Sequence, residues 1–218
     1  METFSIISEL NPTQRAYLEN LLAQGEKIAP GKKPEAMTPW ERIEFEKIVT
    51  AVEEFLKTRE VPIAEAASRY FEQFRGKITD SEVDALCDIC IEANLKPEDV
   101  IFTKINGSVI RLFLDSLALR SIPSAVNRLS ELMIFSAENN NIQDMDTEVF
   151  RGMANLHALK LSGNEIKKIP PIGAFSRKLN NLDLSKNPID WNNPNNVIQM
   201  TFWRELLGPN FTISLTKR

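Results

Sequence analysis

The chain has 218 residues, 43% hydrophobic and 26% charged, enough for one large domain or two small ones with buried cores. A formal net charge of −4 and a pI near 5.3 are the reverse of the balance that nucleic-acid binders carry. No apolar run approaches the length of about 18 residues that a membrane span needs, and two cysteines are too few for a disulfide-stapled secreted module.

Residues 1–108 hold 13 basic and 20 acidic side chains, whereas 109–218 hold 13 and 10. That asymmetry in sign marks two compositionally distinct regions. The opening METFSIISELNPTQ lacks the basic start, apolar core and small-residue cleavage site of a signal peptide. The expectation is a cytoplasmic protein, or one exported without a cleavable signal.

Asn11-Pro12 opens a first helix as cap and first-turn proline, with Tyr17, Leu18, Leu21 and Leu22 on one face and Gly25 as its stop. Residues 26–37 mix Pro, Gly and Lys without apolar period and read as a linker. Thr38-Pro39-Trp40-Glu41 is a capping box. The stripe behind it is Ile43, Ile48, Val49, Val52, Phe55 and Leu56. Pro62 starts a third helix, with Ile63, Ala66, Ala67, Tyr70, Phe71 and Phe74 inward and Gly76 as its stop. Thr79 with Glu82 caps a fourth, whose face is Val83, Leu86, Cys87, Cys90 and Ile91, ending near Asn94. A helical turn at 96–100 leads onward. These stripes are expected to pack as a bundle or against the C-terminal half of the chain, the usual use of an amphipathic face.

From Val109 the period changes. Leu132-x-x-Phe135-x-Ala137-x-x-Asn140-x-Ile142, Leu156-x-x-Leu159-x-Leu161-x-x-Asn164-x-Ile166 and Leu179-x-x-Leu182-x-Leu184-x-x-Asn187-x-Ile189 follow one pattern. Val109-x-x-Leu112-x-Leu114-x-x-Leu117-x-Leu119 is a weaker copy, and the starts at 109, 132, 156 and 179 are 23, 24 and 23 residues apart. The downstream parts correspond too, with Ile122-Pro123 matching Ile169-Pro170 and Phe150 matching Phe175. Self-similarity at this period is the signature of a stacked array in which no unit buries its apolar face alone.

The pattern resembles the leucine-rich repeat family over residues 109–190. That resemblance implies an α/β solenoid: a helical N-terminal domain or cap over 1–108, repeats over 109–190 and a helical C-terminal cap over 191–218. One short strand per repeat should point its leucines inward. Asn140, Asn164 and Asn187 should form a buried ladder that satisfies backbone groups in the turns. Leu117 stands where the first asparagine would be, so the ladder should begin at the second repeat. Leu86-x-x-Ile89-x-Ile91-x-x-Asn94 lies one step earlier, but its helical period and Thr79 cap argue against a strand. After Ile189, Asn196 can cap a helix containing Val197, Ile198, Met200, Phe202, Trp203, Leu206 and Leu207, with Gly208 ending it. Residues 211–215 can make a last strand.

Little in the chain speaks for catalysis. Cys87-x-x-Cys90 falls within a helix on its apolar stripe, and zinc would need more ligands than one histidine and two cysteines provide. His157, the single histidine, has no adjacent nucleophile motif. Phosphate-loop, dinucleotide, zincin and nucleophile-elbow motifs are absent. The informative surface is the set of outward strand positions: Arg111, Phe113 and Asp115; Ile134, Ser136 and Glu138; Ala158, Lys160 and Ser162; Asn181, Asp183 and Ser185. Phe113 and Ile134 are apolar where solvent should stand, flanked by charges, as an interface requires; cover by a neighbouring segment is the competing explanation. The expected function is a protein-protein interaction module, an adaptor or scaffold that binds another protein through this face. No catalytic site, metal, cofactor or nucleic-acid partner is expected. A bacterial effector exported to bind a host protein and an enzyme with its site in the helical half are the alternatives.

Overall fold

The computed structural model describes residues 10–33, 36–58, 60–171, 173, 175–207 and 212–215. The side chains of Leu56, Leu206 and Leu207, and all of Gly208 and Phe211, lie outside that description. The chain divides into two compact units, Met1–Ala66 and Ala67–Arg218.

The first unit holds helices α1 (Pro12–Ile28) and α2 (Pro39–Thr58). Asn11 Oδ1 accepts from the Gln14 amide at 2.9 Å, and Gln14 Oε1 accepts from the Asn11 amide at 3.0 Å, closing a reciprocal cap. Gly25 does not stop α1, which runs three residues further. A Cβ there would stand 3.5 Å from the Phe45 ring and 3.6 Å from Ile48, so this glycine serves close packing of α1 on α2. The Thr38–Glu41 box forms, with bonds of 2.8 and 3.3 Å. Lys32 binds Glu41 at 2.6 Å, and with the Thr38 bonds holds that carboxyl down at about 2. The core is Leu10, Tyr17, Leu18, Leu21 and Phe55, flanked by Ile48, Ala51, Val52 and Val61. Leu22, Ile43 and Val49, expected inward, are exposed. Two helices facing each other bury one narrow stripe apiece, and among the described residues the margins of the wider stripe stay exposed.

The unit boundary falls within α3 (Ile63–Glu72), whose Ala67 and Phe71 are fully buried while Tyr70 is exposed. Helix α4 (Asp80–Ala93) ends at Asn94, in the left-handed conformation that closes helices. Its buried face is Val83, Ala85, Leu86, Ile89 and Cys90. Cys87 and Ile91, expected on that face, are half-buried and exposed respectively.

A 3₁₀ turn at Pro97–Asp99 leads into strand β1 (Ile101–Ile105), which pairs antiparallel with β2 (Ser108–Phe113). The repeat pattern predicts no strand before Val109, so β1 is an addition to it. Asn106 and Gly107 take φ of 51° and 81°, the two left-handed residues of a tight hairpin turn. Thereafter β3 (Ile134–Ser136), β4 (Ala158–Lys160), β5 (Asn181–Asp183) and β6 (Thr212–Ser214) add in parallel, in chain order. Leu112, Phe135, Leu159 and Leu182 stand in one row, each fully buried. This is the in-phase stack of a repeat solenoid.

Aromatic rings continue the core behind the sheet: Phe135, Phe150, Phe175 and Trp203 follow one another at 6.2, 5.2 and 5.2 Å between centroids. Trp203 comes from helix α5 (Pro194–Leu207). That helix begins before Asn196, and Asn193 Oδ1 accepts from the Asn195 amide at 3.0 Å at its start. Asn196 is therefore not its cap. Met200 and Trp203 are buried, whereas Val197, Ile198 and Phe202 are exposed, so the helix buries one side only.

Candidate functional site

Alternation along each strand sends the leucines to the core and the residues between them to the other face. Strand register sets these into rows. Arg111, Ile134, Ala158 and Asn181 form one row, and Phe113, Ser136, Lys160 and Asp183 a second. Asp115, Glu138, Ser162 and Ser185 occupy the equivalent positions just past the strands.

The rows are unequal in access. Arg111 is exposed; Phe113, Ile134, Lys160, Asn181, Asp183, Asp115 and Glu138 are half-buried. Ser136 and Ser162 are buried. Their hydroxyls are engaged within the sheet: Ser136 Oγ donates to Asp115 Oδ1 at 2.6 Å, and Ser162 and Ser185 share a 2.8 Å bond. Asp115 Oδ1 also accepts from the Glu138 amide at 2.7 Å. Burial, and next the Asp115 charge, push the Glu138 carboxyl above its ordinary range. Phe113 and Ile134 are diagonal neighbours, and both keep part of their surface open.

The repeat pattern misses two contributors. Register pairs Ile101 with Phe113 and Thr103 with Arg111, so β1 extends both rows by one strand. Ile101 is 62% exposed and makes an apolar end of the face with Phe113 and Ile134. The signal for it is the Asn106-Gly107 pair between two short apolar runs, a strong local mark of a hairpin.

The asparagines hold the array together. Asn140, Asn164 and Asn187 are each 5% exposed or less. Asn140 Oδ1 accepts from the Leu117 and Leu119 amides at 2.9 and 3.0 Å, while its Nδ2 donates to Leu114 O at 2.8 Å. Asn164 bonds in the same way to Ile142 N and Ala137 O, and Asn187 to Ile166 N and Leu161 O, all at 2.8–3.0 Å. Each amide therefore serves the repeat before it. The first repeat has no repeat before it, which is the physical reason Leu117 suffices there. The residue preceding each of these positions is left-handed: Ser116, Asn139, Gly163 and Lys186 have φ of 60°, 55°, 72° and 58°.

Beyond the face, Cys87 and Cys90 are free thiols. Burial drives both above the ordinary value, Cys90 to about 12. His157 is half-buried, with Nδ1 2.6 Å from Asn155 O. Among the described residues no group of three or more His, Cys, Asp or Glu is placed to hold a metal ion. No described helix is long and apolar enough to cross a membrane.

A parallel sheet of one short strand per 23–24 residues, stitched by in-phase asparagines, defines a leucine-rich repeat array. Residues 127–189 match the family model described as Leucine rich repeat, and over that stretch the chain carries leucine-rich repeats. It is 31% identical over 105 residues to chaoptin of Drosophila melanogaster, a match taking in 48% of this chain and 8% of that one. Among solved structures it is similar to an internalin from Listeria monocytogenes, at 18% identity and a TM-score of 0.33, over 49% of this chain and 31% of that one. It is also similar to the leucine-rich repeat ectodomain of the receptor kinase SOBIR1 from Arabidopsis thaliana. There the identity is 18% and the TM-score 0.37, over 51% of this chain and 82% of that one.

Proposed function

We propose that this chain is a protein-binding adaptor whose partner docks on the outward sheet face. The observation that supports this most is the apolar cluster of Ile101, Phe113 and Ile134, partly open to solvent beside Lys160, Asp183 and Glu138. An apolar centre that can be desolvated, with charge at its rim, is the composition of an interface. Arg111, Asp115 and Asn181 complete the rim. Ser136 and Ser162 contribute by fixing the sheet, since their hydroxyls are already bonded. The α5 segment serves as the C-terminal cap of the array, covering the last repeat with Met200 and Trp203. Two free thiols suit a reducing compartment, and we place the protein in the cytoplasm.

Affinity capture from the native cell, read by mass spectrometry, tests the reading. Phe113→Ala and Lys160→Glu should each melt within a few degrees of wild type and lose capture of the main partner, by about thirtyfold where an anchor worth roughly 2 kcal/mol is removed. Full retention of capture by both variants sinks the sheet-face reading.

A further inference from the structure

Among the described residues strand β1 is the first in the sheet, bonded to β2 on one side only. The bulge in that hairpin lies in β2, where Ile110 is the extra residue between the partners of Thr103 and Lys104, so β1 itself stays regular. Phe102 fixes the strand from beneath, its ring 5.0 Å from Phe74 and 6.3 Å from Phe71. Ile101, Thr103, Lys104 and Ile105 are exposed, and the two isoleucines are 62% and 52% open. An exposed, regular edge with apolar side chains is a template for another strand.

We propose that the partner at this edge is β1 of a second copy of this chain, paired antiparallel about a twofold axis at Thr103. The sequence of the strand, Ile-Phe-Thr-Lys-Ile, carries the argument. Centred on Thr103, the pairing sets Ile101 against Ile105 of the second copy, Thr103 against its own counterpart, and Phe102 against Lys104. Directly opposed side chains dominate strand pairing. Here they are two aliphatic pairs, one hydroxyl pair and two aromatic–ammonium pairs. A shift of one residue turns the core-facing side of one copy onto the outward side of the other. Moving the axis to Lys104 places two like charges in direct opposition, and moving it to Phe102 leaves Ile105 unmatched. Centred on Thr103, one register satisfies both faces for a second copy of the strand. Five residues per copy make a small interface, so the association is weak and reversible.

Sedimentation of the full chain tests this. The average mass should rise from 24.8 kDa toward twice that value as concentration approaches about 0.5 mM, the regime of small interfaces. Ile101→Glu and Ile105→Lys should each weaken association at least tenfold without moving the melting temperature. The double variant Ile101→Glu with Ile105→Lys opposes unlike charges across the axis and should restore it. Under mild oxidation Thr103→Cys should crosslink to its own counterpart, and Lys104→Cys should not, because the two Lys104 positions are diagonal across the pair and beyond disulfide reach. A chain that stays monomeric throughout, a dimer indifferent to both single variants, or a double variant no better than the singles each overturns the proposal.

Discussion

The two ends of the repeat array meet opposite polar chemistry. At the first end the open groups are backbone amides, and carboxylates meet them. Glu82, buried at 4% exposure, accepts from the Val109 amide at 2.9 Å through Oε1, while Oε2 accepts from Thr79. Glu92 accepts from the Ser124 amide and hydroxyl, and Asp88 pairs with Arg128. At the far end both donors and acceptors are open, and an amide meets them. Asn196 Oδ1 accepts from the Ile169 amide at 2.8 Å, and its Nδ2 donates to Lys167 O and Asp190 O at 2.9 and 2.7 Å. Trp203 adds a bond to Pro170 O and buries its ring completely. The difference teaches that the polar side chains at each end complement the backbone groups that the adjoining repeat leaves open. Apolar cover by itself does not do it.

Removing the first end entirely should have the largest effect. A fragment beginning at Val109 loses β1, Glu82 and the α4 cover, and should aggregate or show no cooperative melt. One beginning at Ala67 should regain a sharp transition. A cooperatively folding 109–218 fragment would show that the carboxylate end is dispensable. Trp203→Ala attacks the other end and should cost about 3–5 kcal/mol, because it empties a large buried site and orphans a carbonyl. A loss below about 1 kcal/mol in denaturant titration would mean that α5 does not close the array.

Within the array, Asn164→Leu should destabilise by about 1–3 kcal/mol, since it strips bonds from the buried Ile142 amide and the Ala137 and Leu161 carbonyls. Asn141→Ala, on an exposed neighbour, should fall within about 0.5 kcal/mol of wild type. Equal midpoints for the two would break the claim that amides, placed in register, join the repeats. The smallest effect concerns α4. The folded-state value of Cys90 lies near 12 against 9.0 ordinarily, so its contribution to stability is complete below pH 9 and fades as pH rises toward 12. At pH 8 a thiol reagent should modify half-buried Cys87 before Cys90. The reverse order would show that α4 turns its other side to solvent.

The repeats are legible because their constraint is local and repeated. A leucine inward, an asparagine five residues after the strand's central leucine and a step of 23–24 residues recur in the chain itself. The helices of the first unit are legible as caps, at Asn11 and Thr38, but not as faces. Periodicity marks every apolar position, whereas burial depends on how much surface a single neighbouring helix can cover. Hence Leu22, Ile43 and Val49 are inward by period and stand exposed. Gly25 misleads for a related reason: a stop signal and a close-packing position look alike in one dimension. The two ends of the array are the least legible. Glu82 reads as half of a capping box and nothing in its spacing points to Val109, 27 residues on. Asn196 sits outside the repeat phase, so its bonds to the preceding repeat arise only once α5 folds back. On the candidate face, Arg111, Phe113, Ile134, Lys160 and Asp183 follow from strand alternation, while Ile101 needs the hairpin.

Because the bonds each ladder amide makes outside its own repeat all reach backward, the array has a quantum of length. Duplicating residues 156–178 in tandem would give the new Asn164 the same Leu161 carbonyl and Ile166 amide that Asn187 now serves. Asn187 would find identical groups in the inserted copy, and neither Glu82 nor Asn196 would meet a new neighbour. The molecule can thus lengthen from its middle, one strand at a time, widening the outward face by about 4.8 Å per insertion while both closures stay intact.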